Sequence, residues 1–131
     1  MQLRNIFDNS KNNSYPIYYY QRGDEDCNVL EYIKRINDKN RRQELVEYLK
    51  FLTQNGKDEC FPPSFDEAGE TFGTWILYRI RKGQDRIYLG FDVCKKRFLL
   101  IERCKKKTQK TKENIKRKFV NLVKKIEREK L

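Results

Sequence analysis

Between residues 75 and 101 the chain carries three short runs of strand-forming residues, 75–80, 86–91 and 97–101, separated only by Lys82-Gly83-Gln84-Asp85 and by residues 92–96. Aromatic and β-branched residues favour a pleated backbone. Connections this short join antiparallel neighbours, because a parallel pair needs a crossover of a dozen residues or more. An antiparallel meander is therefore predicted, and the rest of the chain has to cover it. With 131 residues in total, there is room for one domain. A chain of that size buries roughly 68% of its unfolded surface, enough for one sheet against two or three helices. No disulfide or metal staple is needed.

The flanking segments supply the cover. Ile17, Tyr18, Tyr19 and Tyr20, bounded by Pro16 and Gly23, form a further strand, partly core and partly edge. Val29, Leu30, Ile33 and Ile36 then recur at helical spacing, with Asn28 and Glu31 placed as a capping box. After a turn at residues 37–40, Leu45, Leu49 and Leu52 mark a second amphipathic helix that stops at Gly56. The two make a helical hairpin. Residues 57–74 mix Pro62, Pro63, Gly69 and Gly73 with acidic side chains, and an irregular connection is expected. Near the C-terminus Ile115, Phe119, Leu122 and Ile126 draw an apolar stripe on a basic helix, with Thr111 as its N-cap. The expected fold class is α+β in the order β-α-α-β-β-β-α, with a twisted, mainly antiparallel sheet. Residues 1–14 form a polar N-terminal arm and residues 15–131 the single domain.

Charge is distributed unevenly. Residues 1–75 hold 10 basic and 13 acidic side chains, whereas residues 76–131 hold 20 basic and 6 acidic. The C-terminal part thus carries net +14 and attracts polyanions: nucleic acid, an anionic membrane face or an acidic protein. The four cysteines, at 27, 60, 94 and 104, form no C-x-x-C pair, and histidine is absent. That excludes zinc-finger and haem-attachment readings. The N-terminus runs into polar sequence without an apolar signal core, so a cytoplasmic protein with free, buried thiols and no cofactor is expected. No run approaches the roughly 18 apolar residues of a membrane span. The stripe on the last helix is narrow, with Phe119 its one aromatic, which favours core packing over membrane contact.

The segment Leu99-Leu100-Ile101-Glu102-Arg103-Cys104-Lys105-Lys106-Lys107-Thr108-Gln109-Lys110-Thr111 resembles the signature of the HigB branch of the RelE toxin superfamily. In that family the last strand ends in an apolar pair, and a Lys-Lys-Thr-Gln-Lys-Thr run leads into the terminal helix. Residues 106–111 match that run at every position. Trp75-Ile76-Leu77-Tyr78-Arg79 followed by Arg86-Ile87-Tyr88 is similar to the family's pair of arginine-bearing strands. The resemblance covers roughly residues 17–126. It implies a RelE-like α+β toxin of a type II toxin-antitoxin system, a ribosome-dependent mRNA endoribonuclease that enters the A site. A cognate helix-turn-helix antitoxin of HigA type would restrain it.

RNA cleavage of this kind needs a base for the ribose 2′-OH, cations for the pentavalent phosphorane and an acid for the leaving oxygen, and no metal. The candidates are Arg79, Arg86, Lys106 and Lys107 for the phosphate, and Glu102 or Tyr88 for proton transfer. Glu102 stands where many relatives carry histidine. Arg81, which shares a face with Arg79 at i+2, joins Lys95, Lys96, Lys105 and Lys110 as candidate RNA contacts. Two further readings fit the same residues. One is a basic RNA- or ribosome-binding module that cleaves nothing; the other is an inactive relative that acts by binding an antitoxin.

Overall fold

The computed structural model describes residues 2–7, 13–24, 27–105 and 110–131, excepting the side chains at 110 and 111. The chain runs through β1 (Gln2–Asn5), β2 (Ile17–Gln21), α1 (Asn28–Lys34), α2 (Lys39–Asn55), β3 (Phe65–Phe72), β4 (Trp75–Lys82), β5 (Asp85–Asp92), β6 (Arg97–Lys105) and α3 (Lys110–Glu129). The fold is α+β. Its six strands form one mixed sheet in the order β1-β2-β6-β5-β4-β3. Neighbours are antiparallel except β2 and β6, which run parallel through Ile17↔Phe98 and Tyr18↔Leu99.

The β4-β5-β6 meander, β2, the hairpin of α1 and α2, and the terminal helix stand where the hydrophobic pattern puts them. Two strands do not. β1 lies in the segment expected to be a loose arm, and β3 in the expected irregular connection. Both are edge strands, and edges tolerate polar, charged and Gly-containing sequence because only one side is paired. In β3 the pairing slips between Glu67↔Tyr78 and Thr71↔Ile76, around Gly69 at φ +83°. That bulge hides the period-2 signal.

Strand alternation sends side chains to two covered faces. On one, Tyr78, Ile80, Ile87, Leu89, Phe91, Phe98 and Leu100 pack with Val29 and Ile33 of α1 and Leu45, Leu49 and Leu52 of α2. On the other, Trp75, Leu77, Tyr88, Leu99 and Ile101 meet Ile115, Phe119, Val123 and Ile126 of α3. Double burial is why the central strands read as nearly unbroken apolar runs. Val123, rather than the expected Leu122, lies at the centre of the α3 stripe; Leu122 is only half-buried. Cys94 is exposed, contrary to expectation, while the other three free thiols are partly covered.

The helix ends follow local chemistry. Cys27, not Asn28, is the N-cap of α1 and makes no side-chain cap, so the expected capping box is not formed. Asp38 caps α2 by accepting from the N–H groups of Asn40 (3.0 Å) and Arg41 (3.2 Å). Gly56 ends α2 at φ +84°, pressed so closely on the Tyr15 ring that a Cβ would sit 2.8 Å from it. α3 begins at Lys110, so Thr111 lies within its first turn and not at its N-cap as expected.

Gly90 of β5 lies under α3, and a Cβ there would stand 3.1 Å from both the Phe119 and Trp75 rings. Overpacking a filled core costs about 1–3 kcal/mol. Gly90→Ala is expected to lower stability by that amount, measured as a shift of the urea unfolding midpoint at unchanged slope.

Candidate nucleic-acid interface

A β-bulge aims the candidate side chains. Leu89 pairs with Leu100 but Tyr88 pairs with Glu102, so Ile101 is the extra residue and both Ile101 and Glu102 turn toward α3. Beyond it, Arg86 pairs with Cys104. On the neighbouring strand Arg79 pairs with Tyr88 and Arg81 with Arg86. Two rows result on the α3 side of the sheet: Arg79, Tyr88 and Glu102, then Arg81, Arg86 and Cys104. Directly opposed residues bring their Cβ atoms to about 5 Å. The first turns of α3 border the rows through Lys112 and Glu113, which line a cavity of about 210 Å³ with Arg79 and Tyr88.

Arg79 is held by Asp66 of β3, to which Nε donates at 3.0 Å and Nη2 at 2.6 Å. Arg81 Nη2 reaches the same carboxylate at 3.3 Å. The bond to Asp66 keeps the Arg79 guanidinium firmly protonated, and Tyr88 adds to the effect. Burial pushes the Tyr88 phenol above its ordinary pKa, with Cys104 acting in the same direction and Arg79 opposing it. Tyr88 thus keeps its proton at neutral pH and is a donor. Burial likewise raises the Cys104 thiol, partly offset by its bond to Tyr88. Arg86 Nη1 donates to the carbonyls of Gly83 and Asp85, both at 2.9 Å. No carboxylate among the described residues pairs with it. Glu102 accepts from the Arg103 N–H (3.0 Å) and from Lys118 Nζ of α3 (2.9 Å).

The remaining candidates separate. Lys105 points to the opposite face, where Asp85 is buried between the Tyr32 hydroxyl, Arg41 (Nε to Oδ2, 2.7 Å) and Lys105 Nζ (3.8 Å). Lys95 and Lys96 occupy the β5–β6 turn, roughly 25 Å from the rows at the strand rise of about 3.3 Å per residue. Lys95 Nζ there reaches the Leu131 carbonyl at 3.3 Å. They do not belong to the cluster. Lys106, Lys107 and the side chain of Lys110 lie outside the described residues. Asp66, the residue that fixes Arg79, is not among the sequence candidates, because its Gly-containing acidic segment carries no clear strand period. Asp85 and Asp92 anchor cations as Asp66 does, the latter binding Arg97 at 3.1 Å.

No protein-family model, curated protein or solved structure matches this chain. Among the described residues, no helix is long and apolar enough to cross a membrane, and no cluster of three Cys, Asp or Glu side chains is placed to hold a metal.

Because folding raises the Tyr88 pKa from its ordinary 10.0, the unfolded chain loses that proton first. Stability from this group is intact below pH 10 and falls as the pH rises past it. Tyr88→Phe is expected to lose stability less steeply than the parent above pH 10, followed by urea unfolding at several pH values.

Proposed function

We propose that this chain is a toxin of the HigB branch of the RelE superfamily, a metal-independent endoribonuclease that cuts mRNA in the ribosomal A site. A helix-turn-helix antitoxin of HigA type would hold it inactive in the cytoplasm. The observation that carries the reading is the pair of cross-strand rows. Arginines 79, 81 and 86, Tyr88 and Glu102 come from three strands and converge on one face. They do so at the end of the sheet where β6 leads toward the lysine run that resembles the family signature.

The roles follow from the partners each group already has. Arg86, which pairs with no carboxylate among the described residues, is the cation most ready to receive a phosphate and stabilise the phosphorane. Arg79, anchored by Asp66, orients Tyr88 and supplies positive charge next to it. Tyr88, protonated at neutral pH, serves as the acid for the leaving 5′ oxygen. Glu102, in the same row, takes the 2′-OH proton once RNA draws Lys118 from its carboxylate. Lys106 and Lys107 add phosphate contacts.

One observation favours a second reading. Arg79 is neutralised by Asp66 and Glu102 by Lys118, an arrangement that suits a binding module without catalysis. Labelled mRNA in a reconstituted translation reaction decides between them. The toxin reading expects cuts within translated codons, about 10²-fold or more slower in Arg86→Ala and in Tyr88→Phe, and absent in Lys106→Ala/Lys107→Ala. Intact message on ribosomes that retain the protein establishes the second reading instead.

A further inference from the structure

A second cleft stands apart from the one at Arg79 and Tyr88. β2 pairs with β6 only at Ile17 and Tyr18, so beyond Tyr18 it leaves its neighbour. The opening is a groove of about 420 Å³, with Leu100 and Ile101 on its floor. One wall is the end of β2, with Tyr19, Tyr20 and Arg22, and the start of α1. The other is a single face of α3 that includes Asn114, Arg117, Asn121 and Lys125. That face extends over three turns, roughly 16 Å at 1.5 Å per residue. It flanks α3 on the side away from the Arg79 cavity, and both clefts border the N-terminal half of that helix.

The lining has a consistent chemistry. Among the described residues it includes Arg22, Arg117, Lys118 and Lys125 and no carboxylate. Lys118 is committed to Glu102. Lys125 rests 5.8 Å from the centroid of the Tyr20 ring, whose hydroxyl donates to Glu129 at 2.5 Å. No carboxylate among the described residues pairs with Arg22, Arg117 or Lys125. Cations that track a backbone, amides that both donate and accept, and tyrosine rings beside them are the groups that hold single-stranded RNA. An acidic peptide would satisfy the cations as well, but the Tyr20 ring beside Lys125 adds a platform on which a base can stack.

We infer that the groove between β2 and α3 is a second site for single-stranded RNA, which binds the strand that flanks the cleaved nucleotides. Arg117 and Lys125 would contact its phosphates, and Asn114, Asn121 and Tyr20 its bases. The inference rests on the RNA-directed reading above but is separable from it, because it concerns affinity and not cleavage.

The test is fluorescence anisotropy of a labelled 12-nucleotide single-stranded RNA with the full chain, in parallel with the translation assay. Arg117→Ala/Lys125→Ala should weaken binding about tenfold and reduce the salt slope by about 0.7 for each phosphate left unneutralised. Arg117→Lys/Lys125→Arg should restore both, which separates charge from folding, and far-ultraviolet circular dichroism should match the parent. Unchanged affinity in the double alanine variant overturns the groove assignment and leaves the cleavage reading standing. So does saturable binding of a polyglutamate peptide that the variant loses while RNA binding persists, which would make the groove a protein-docking site. Loss of cleavage throughout, with RNA binding still dependent on Arg117 and Lys125, would overturn the enzyme reading alone.

Discussion

Phe119 lies against the bare backbone of Gly90 with the Trp75 ring beside it, and the rest of the architecture is arranged around that contact. It lets α3 approach the centre of the sheet closely enough to bury Leu77, Leu99 and Ile101. The opposite face is already taken by α1 and α2. A sheet covered on both sides has no apolar face left for solvent, so its polar groups are confined to the strand ends and edges. The cationic rows stand at one such end, beyond Leu77 and Ile101, the last large apolar residues that β4 and β6 turn toward α3. Their position is thus a consequence of where the core stops.

Electrostatics then decides which cations remain available. The net +14 of residues 76–131 overstates the free charge, because acidic residues from several elements are placed against it. Asp66 takes Arg79 and Arg81, Glu70 takes Lys116 at 3.5 Å, Asp92 takes Arg97, and Glu102 takes Lys118. Asp85, almost wholly buried, joins Tyr32 and Arg41 and so ties the start of β5 to both helices of the hairpin. Exposed pairs among these contribute little energy. Their effect is selective: they remove some cations from the field that a polyanion meets and leave Arg86, Arg117 and Lys125 in it.

Much of this is legible in the sequence, and the misses share a cause. Apolar periodicity locates a buried element, and it locates β2, β4, β5, β6 and all three helices. β1 and β3 are edges whose stability comes from backbone pairing with a neighbour, a partner that local pattern does not encode. Missing β3 means missing Asp66, and with it the fact that Arg79 is anchored. The shared face of Arg79 and Arg81 follows from strand alternation. The placement of Glu102 with Tyr88 does not, because the bulge at Ile101 shifts the alternation by one residue. The same shift sends Lys105 to the hairpin face. The groove beside β2 is invisible in the sequence for a similar reason: it arises where two strands separate, and its lining comes from segments nearly a hundred residues apart.

The parallel pairing of β2 with β6 has a consequence for the order in which the molecule can be made. A ribosome delivers Ile17 long before Phe98, so the N-terminal strands and both hairpin helices wait, without the sheet they cover, until the meander has emerged. Non-local pairing of this kind slows folding, since a long loop must close before any contact compensates for it. The α3 face waits longer still, with Trp75 and Leu99 open to water until Phe119 and Ile126 leave the exit tunnel. A nascent chain therefore spends most of its synthesis without the wall that Arg117 and Lys125 supply. The basic groove comes into being only once α3 has been made and has docked.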